Sequence, residues 1–218
     1  MSLIIALEGV ENSGTTTLSE LLNAYFISQG VESKVVQNPG IKTVRFLNNL
    51  SKEDKDRSFL YPELENTNFK DKEYLWDKLD VELEVAQEEL EIQLKRADLY
   101  FLDKSFLTLL AYTGYGLMRS KKDLDRLKNV IKDINPAHKS FYLEIDFSEM
   151  MLREMKKPRP QDKIWVNPDH EFYNRVVRGY RLETKNSPDI EKIKNDNLKN
   201  TFEELRRKIE EYKPNFYK

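Results

Sequence analysis

The chain has 218 residues, of which 34% are charged, yet its formal net charge is only −2. This balance indicates helix surfaces with paired charges and excludes a nucleic-acid-binding protein with a strongly basic field, so no nucleic acid polymer is expected as a partner. The absence of cysteine excludes a disulfide framework and a thiolate zinc site, and the two histidines, His138 and His170, disfavour a histidine-based metal centre.

Length and hydropathy predict one domain over residues 1–218, with a sizeable hydrophobic core. No apolar run approaches the roughly 18 residues of a membrane-spanning helix. No signal peptide is visible in the sequence. We therefore expect a cytoplasmic protein that does not bind a membrane.

A strand, a glycine loop and a helix follow one another over residues 3–22. The apolar run from Leu3 to Leu7 predicts a buried parallel strand, and the apolar spacing from Leu18 onward predicts a helix. Between them, Gly9 and Gly14 have the G-x-x-x-x-G spacing. Glycine permits close backbone approach, and loop N–H groups at a helix start can hold an anion. The segment therefore predicts a phosphate-binding loop.

The loop departs from the phosphate-binding pattern at one position. A lysine follows the second glycine in that pattern, and Thr15 stands there in this chain. A threonine is too short to reach the β- and γ-phosphates and carries no charge. Thr16 keeps the hydroxyl that the pattern assigns to Mg²⁺. Without the lysine, an ordinary strand-turn-helix built from small residues stays an alternative.

The rest of the chain alternates strand and helix patterns. Strands are predicted at 33–37, 98–102, 140–145 and, weakly, 189–194, and helices at 42–50, 72–96, 105–118, 124–134, 148–155, 170–186 and 200–212. Residues 51–71 have the polar composition of a loop or a mobile cover. This alternation predicts an α/β protein with a five-stranded parallel sheet and helices on both faces. Ligands of such sheets bind beyond the carboxyl ends of the strands.

Four segments together resemble the thymidylate kinase family of P-loop nucleoside monophosphate kinases. LEGVENSGTTTLSELL is similar to the family's phosphate loop, and VQNPG to its second-strand segment ending in Glu-Pro-Gly-Gly. LDKSFLTLLAYTGYG looks like its Asp-Arg segment followed by Ala-Tyr-Gln-Gly, and FYNRVVRGY is similar to the helix after its lid. The resemblance spans roughly residues 3–210 in the family's order.

The resemblance implies a three-layer P-loop NTPase fold with a lid at about residues 156–169. It also implies transfer of the γ-phosphate of ATP, the co-substrate, to a deoxynucleoside monophosphate, with dTMP as the acceptor by resemblance. The implied cofactor is Mg²⁺, and the implied partners are the two nucleotides and a second copy of the chain in a homodimer.

Roles carry over to the residues that match the family's motifs. The implied ATP-binding residues are Gly9, Asn12, Ser13, Gly14, Thr15, Thr16 and Thr17, of which Thr16 joins Asp103 in binding the metal. The implied catalytic residues are Asp103, Lys104, Arg153 and Lys157. The implied acceptor-binding residues are Glu11, Arg45, Thr108, Tyr112 and Thr113.

The chain also departs from the family at several matched positions. Besides Thr15, Lys104 replaces the arginine of the Asp-Arg pair, and Gln37 replaces the arginine before Glu-Pro-Gly-Gly. Thr113 replaces the glutamine of Tyr-Gln-Gly, and the arginine that meets the base falls near Glu82. Because the last two positions contact the base in the family, the identity of the base stays open.

Two other functions stay open. A relative with weakened catalysis that only binds nucleotide is favoured by the missing loop lysine. A deoxynucleoside kinase needs a general base near the 5′-hydroxyl of its acceptor, and Glu8 is the candidate closest to the loop. The sequence is equally compatible with Glu8 as a structural or Mg²⁺-shell carboxylate and with Tyr112 as an ordinary core residue.

Overall fold

The computed structural model describes residues 2–37, 87–88, 90–91, 93–94, 96–116, 121–156 and 170–216. The strands in these ranges are β1 (Leu3–Glu8), β2 (Ser33–Gln37), β3 (Leu99–Asp103), β4 (Lys139–Glu144) and β5 (Ile190–Lys194). The helices are α1 (Thr15–Ser28), α2 (Phe106–Leu109), α3 (Lys121–Ile134), α4 (Phe147–Lys156), α5 (His170–Asn186) and α6 (Leu198–Phe216), and a π-helix (Leu110–Gly116) continues α2.

Several predicted segments lie outside the described residues. These are the helix at 42–50, the loop at 51–71, most of the helix at 72–96, and the lid except for Lys156. The described residues from 87 to 93 are helical and belong to the end of the predicted helix at 72–96.

The five strands form one parallel sheet in the order β2-β3-β1-β4-β5. β1 lies at the centre, where Leu7 stands opposite Asp103 of β3 and Phe141 of β4. After β1 the chain continues to the strand at one edge of the sheet, β2, and after β4 it continues to the strand at the other edge, β5. A crevice therefore opens beyond the carboxyl ends of these two strands, which is where ligands of such sheets bind.

Helices cover both faces of the sheet and explain why all six residues of β1 are buried. Leu3, Ile5 and Leu7 pack into a cluster with residues of α1 and α6. Ile4 and Ala6 point to the opposite face, where α2, the π-helix, α3 and α5 supply the packing. The predicted three-layer α/β fold is confirmed. None of the helices in the described ranges is long and apolar enough to cross a membrane.

The predicted helix at 105–118 differs from the observed structure. Four residues of α-helix pass into the seven residues of the π-helix, which apolar periodicity does not reveal. The π-helix packs tightly on α5: a Cβ at Gly116 would lie 2.9 Å from atoms of both Phe172 and Val176. α3 also begins three residues earlier than predicted, at Lys121. π-Helical turns occur frequently at functional sites.

Gly179 provides a test of the contact between α5 and the π-helix. A Cβ at this position would lie 2.6 to 2.8 Å from the ring and the Cβ of Tyr115, whose hydroxyl donates a hydrogen bond to Glu183. We expect Gly179→Ala to lower the free energy of unfolding by about 1–3 kcal/mol through crowding, although alanine favours a helix. Chemical denaturation measures the change.

The matched control is Asn174→Ala, at an exposed position of the same helix. Its effect should stay within about 0.5 kcal/mol. A Gly179→Ala variant as stable as the wild type would contradict the tight packing of α5 on the π-helix.

Candidate active site

The loop of residues 9–14 leads from β1 into α1 with a backbone suited to an anion. Gly14, the N-cap of α1, has φ +90° and offers no side chain to the N–H groups of the first helical turn, which holds no acidic residue. Such N–H groups have no partner within a helix. They are therefore available to an anion, which the positive end of the helix dipole also favours.

Close packing holds the loop against β4. A Cβ at Gly9 would lie 2.9 Å from the Leu143 carbonyl oxygen, so only glycine fits there. Asn12 adopts a left-handed φ of 58°, which asparagine tolerates better than most residues. Ser13 is buried, and its Oγ has no hydrogen-bond partner in the part of the chain that the structure describes.

Arg153 of α4 clamps the loop from the other side. One terminal nitrogen donates to the Asn12 carbonyl oxygen at 3.1 Å, and the other to the Asn195 carbonyl oxygen at 2.9 Å. The Nε donates to Glu149 at 2.7 Å. Arg153 therefore adds a fixed positive charge beside the loop while joining it to the end of β5.

Asn195 is a site residue that the sequence analysis missed. Its Nδ2 donates to the Ser13 carbonyl oxygen at 2.5 Å, and its Oδ1 accepts from Thr201 at 2.9 Å. Asn195 follows β5 directly. The rule that site residues follow the carboxyl ends of parallel strands could have identified it, but β5 was only a weak prediction.

Thr16 and Asp103 form the candidate metal site. The Thr16 hydroxyl donates to one carboxylate oxygen of Asp103 at 2.6 Å. The other oxygen of Asp103 is buried and has no hydrogen-bond partner among the described residues. A hydroxyl and a carboxylate suit Mg²⁺, which prefers oxygen ligands and usually binds through one or two carboxylates plus phosphates. In the described ranges, no group of three His, Asp or Glu side chains could hold a metal alone.

Lys104 follows Asp103 in a left-handed conformation, with φ +65°. Such a conformation costs roughly 1–2 kcal/mol for a residue with a Cβ. The Lys104 amide donates to the Leu7 carbonyl oxygen at 2.9 Å, and its ammonium group lies 2.6 Å from a carboxylate oxygen of Glu11. The ion pair ties the end of β3 to the loop.

Glu8 lies beneath this turn and is fully buried. One carboxyl oxygen accepts from the Ser105 amide at 2.9 Å and from the Ser105 hydroxyl, and the other accepts from the Thr108 hydroxyl at 2.7 Å. The Tyr180 hydroxyl lies 2.9 Å from that of Thr108. Burial raises the pKa of Glu8, and the hydrogen bonds from Ser105 and Thr108 partly oppose the rise.

Tyr112, predicted as an acceptor-binding residue, lies in the core with an exposed fraction of 5%. Its hydroxyl accepts a hydrogen bond from the Glu11 amide at 3.0 Å, so it connects the π-helix to the loop. Burial raises its pKa well above the usual range. Arg45, Lys157 and the side chain of Thr113 lie outside the described part of the chain.

These elements enclose a cleft of about 360 Å³ at the carboxyl ends of the strands. Three cations and one carboxylate stand among its described lining residues, so the cleft favours an anionic ligand. The lining residues are Glu11, Asn12, Gly14, Thr15, Thr16, Thr17, Lys104, Arg153, Lys156, Asn195 and Leu198. Thr108 is not among them.

The conformation of Gly14 generates a first prediction for the cleft. A Cβ there would lie 2.9 Å from the Asn195 amide nitrogen, in addition to the strained φ. We expect Gly14→Val to distort the loop and lower the affinity for ATP with Mg²⁺ at least tenfold, as measured by calorimetric titration. The control is Gly30→Val, because Gly30 has φ +79° but no atom within 4 Å of its added Cβ. Equal ATP affinity in the two variants would contradict an anion site at the loop.

A second prediction concerns pH. The pKa of Glu8 is raised above its ordinary value of 4.5 in the folded protein, so the unfolded chain releases this proton at a lower pH. Between the pKa of Glu8 in the unfolded chain and its higher pKa in the folded protein, the wild type should lose stability relative to Glu8→Gln as the pH rises. The loss should reach up to about 1.4 kcal/mol per pH unit. Below pH 4.5 the difference should be constant.

Urea unfolding of the wild type and Glu8→Gln from pH 4 to 8 measures this difference. Glutamine keeps an oxygen that can accept from Ser105, so the variant should fold. A stability difference that does not change with pH would contradict a raised pKa.

Known proteins resemble the chain in both sequence and fold. No protein-family model matches it. The thymidylate kinase of Buchnera aphidicola subsp. Baizongia pistaciae is 26% identical over 191 residues, which cover 87% of this chain and 85% of the relative. The thymidylate kinase of Blochmanniella floridana is 27% identical over 179 residues, 81% of this chain and 80% of the relative. That of Mycoplasmopsis pulmonis is 23% identical over 190 residues, with coverages of 82% and 73%.

The fold also has a solved counterpart. The crystal structure of thymidylate kinase from Ehrlichia chaffeensis superposes with a TM-score of 0.59 and 18% identity, over 95% of this chain and 98% of that one. The shared fold extends over nearly the whole chain, and the sequence similarity to the three relatives covers about four fifths of it. The chain is therefore similar to thymidylate kinases in sequence and shares the fold of one of them.

Proposed function

We propose that the protein transfers the γ-phosphate of ATP to a nucleoside monophosphate and that dTMP is the acceptor. One observation carries the proposal: the Thr16–Asp103 pair stands beside a glycine loop and an uncapped helix start, and one of its carboxylate oxygens has no hydrogen-bond partner among the described residues. A divalent cation and a triphosphate can thus be held together. The names of the relatives supply dTMP.

ATP binds with its phosphates on the loop. The N–H groups at the start of α1 hold the phosphate oxygens, and the glycines permit the approach. The loop residues in this role are Gly9, Asn12, Ser13, Gly14, Thr15, Thr16 and Thr17. Thr16 and Asp103 would hold Mg²⁺, which would supply positive charge to neutralise the phosphate oxygens.

The transfer depends on positioning and charge stabilisation rather than on a covalent intermediate. Lys104 is already inside the cleft, and Arg153 is fixed beside the loop by its three hydrogen bonds. Both lie where they can supply positive charge to the phosphates, and such placed charges are an effective form of electrostatic catalysis. Lys157 joins them from the lid at about 156–169, which closes over the nucleotides.

The acceptor binds on the side of the π-helix. Glu11 contacts its sugar and Arg45 its phosphate, while Tyr112 and Thr113 form the wall of the pocket. Thr108 supports this wall from the buried network of Glu8. The family resemblance extends the proposal to a homodimer in the cytoplasm.

A second candidate function is nucleotide binding with weakened catalysis, which the uncharged Thr15 favours. A deoxynucleoside kinase is disfavoured because its base candidate, Glu8, is fully buried and accepts three hydrogen bonds from Ser105 and Thr108. A carboxyl group placed in this way cannot take a proton from a sugar hydroxyl in the cleft.

A coupled kinase assay over all nucleoside monophosphates and nucleosides tests the proposal. We expect Mg²⁺-dependent turnover of dTMP, and a loss of roughly 10²-fold or more in kcat for Asp103→Asn. The control is Asp189→Asn, an exposed carboxylate beside β5, which should leave kcat unchanged.

The other outcomes separate the alternatives. ATP binding without turnover of any acceptor would favour the weakened relative, and turnover of nucleosides alone would favour the deoxynucleoside kinase. If Asp103→Asn changed only the melting temperature, Asp103 would be a structural residue.

A further inference from the structure

We infer that Lys104 replaces the missing loop lysine, so that its ammonium group binds the donor phosphates that a lysine at position 15 would bind. The inference rests on the proposed kinase function and names the group that supplies the charge Thr15 lacks. Glu11 is the partner that holds Lys104 in place until the nucleotide arrives.

The positions of the two residues carry the first step. Thr16 and Asp103 are hydrogen-bonded at 2.6 Å. Thr15 directly precedes Thr16, and Lys104 directly follows Asp103. Thr15 and Lys104 therefore each neighbour one partner of the Thr16–Asp103 hydrogen bond. Both also line the cleft. Lysine has a flexible four-carbon stem, so a cation can reach the same phosphates from β3 as from the loop.

The conformation of the turn carries the second step. The left-handed φ of Lys104 is fixed on one side by its amide hydrogen bond to Leu7, and on the other by the hydrogen bonds of Ser105 to Glu8. The turn therefore directs the ammonium group inward, where the side chain is only 6% exposed. A lysine rarely stays this buried without a partner, and the partner here is Glu11.

The other described cations of the cleft are less suited. Arg153 already donates to Glu149 and to the carbonyl oxygens of Asn12 and Asn195, so its guanidinium serves the loop backbone. Lys156 is exposed at the last residue of α4. Among the described residues, Lys104 is the buried ammonium group inside the cleft.

The exposed fractions of Glu11 and Lys104 indicate how a triphosphate replaces Glu11 as the partner of the ammonium group. The side chain of Glu11 is 27% exposed, against 6% for Lys104. Glu11 can therefore turn toward water while Lys104 stays in the cleft. A triphosphate carries more negative charge than one carboxylate, so it replaces Glu11 as the partner of the ammonium group.

The test moves the charge back to the loop. Lys104→Met keeps the unbranched stem and removes the charge. The double variant Thr15→Lys/Lys104→Met returns the charge at the position that the phosphate-loop pattern uses. A second double variant, Glu11→Gln/Lys104→Met, removes both members of the ion pair and is compared with Glu11→Gln alone. Lys128→Met is the matched control, because Lys128 pairs with Glu183 at 2.8 Å on α3 and α5, outside the cleft.

Two quantities are measured for each folded variant: the Kd of a non-hydrolysable ATP analogue with Mg²⁺, and kcat for the best acceptor. We expect Lys104→Met to raise Kd and to lower kcat by roughly 10²–10³. Thr15→Lys/Lys104→Met should recover at least tenfold of both losses. Glu11→Gln/Lys104→Met should stay as impaired, relative to Glu11→Gln, as Lys104→Met is relative to the wild type.

Three results would overturn the inference. They are an unimpaired Lys104→Met, a failure of Thr15→Lys to rescue the double variant, and full recovery on removing Glu11 as well. The last result would mean that Lys104 only neutralises Glu11. If the wild type itself transferred no phosphate, the proposed function would fail, and the analogue affinities would still decide whether Lys104 binds the phosphates.

Discussion

The cleft depends on how the turn after β3 is held against the end of β1. Parallel pairing brings Leu7 level with Asp103, so the two strands end together. Glu8 then accepts the hydrogen bonds that the amide and the hydroxyl of Ser105 donate, and so fixes the two residues before Ser105, Asp103 and Lys104. A carboxyl group is costly to bury without partners. The hydrogen bonds offset that cost. Glu8 does not line the cleft itself, but it sets the position of Lys104, which does.

The distribution of positive charge follows from this arrangement. Phosphate-binding loops normally carry a lysine of their own, but this loop is neutral at position 15. The cleft takes its cations from neighbouring elements instead, Lys104 at the end of β3, and Arg153 and Lys156 on α4. The loop contributes its backbone, and the elements around it contribute the charge. Electrostatic stabilisation requires only that positive charges be fixed near the phosphates. The residues that carry these charges can therefore stand on different elements of the chain.

Local patterns predicted the parts of the fold that local forces determine. The strand, loop and helix of residues 3–22 were predictable because glycine spacing and apolar period are both visible in the sequence. The order of the strands and the π-helix were not predictable. Apolar periodicity does not specify which strands are neighbours in the sheet, nor does it reveal the extra residue in each turn of a π-helix. Asn195 and Tyr180 were missed for a related reason: their roles come from hydrogen bonds to residues more than 70 positions away. The resemblance used the order of four motifs rather than any one of them, and the relatives that the chain is similar to are likewise thymidylate kinases.

The clamp on the loop also has a consequence for the order in which the protein acquires its site. The Asn12 carbonyl is held by a residue 141 positions later, and the Ser13 carbonyl by a residue 182 positions later. β1 and the loop leave the ribosome before α4 and β5, so the loop lacks both of these bonds until Arg153 and Asn195 have been synthesised. Contacts so distant in sequence form slowly, because closing a long loop of chain loses entropy before the contact contributes any stabilisation. A nascent chain that ends before β5 can therefore build helices and hydrophobic contacts while the hydrogen bond from Asn195 to the loop is still missing.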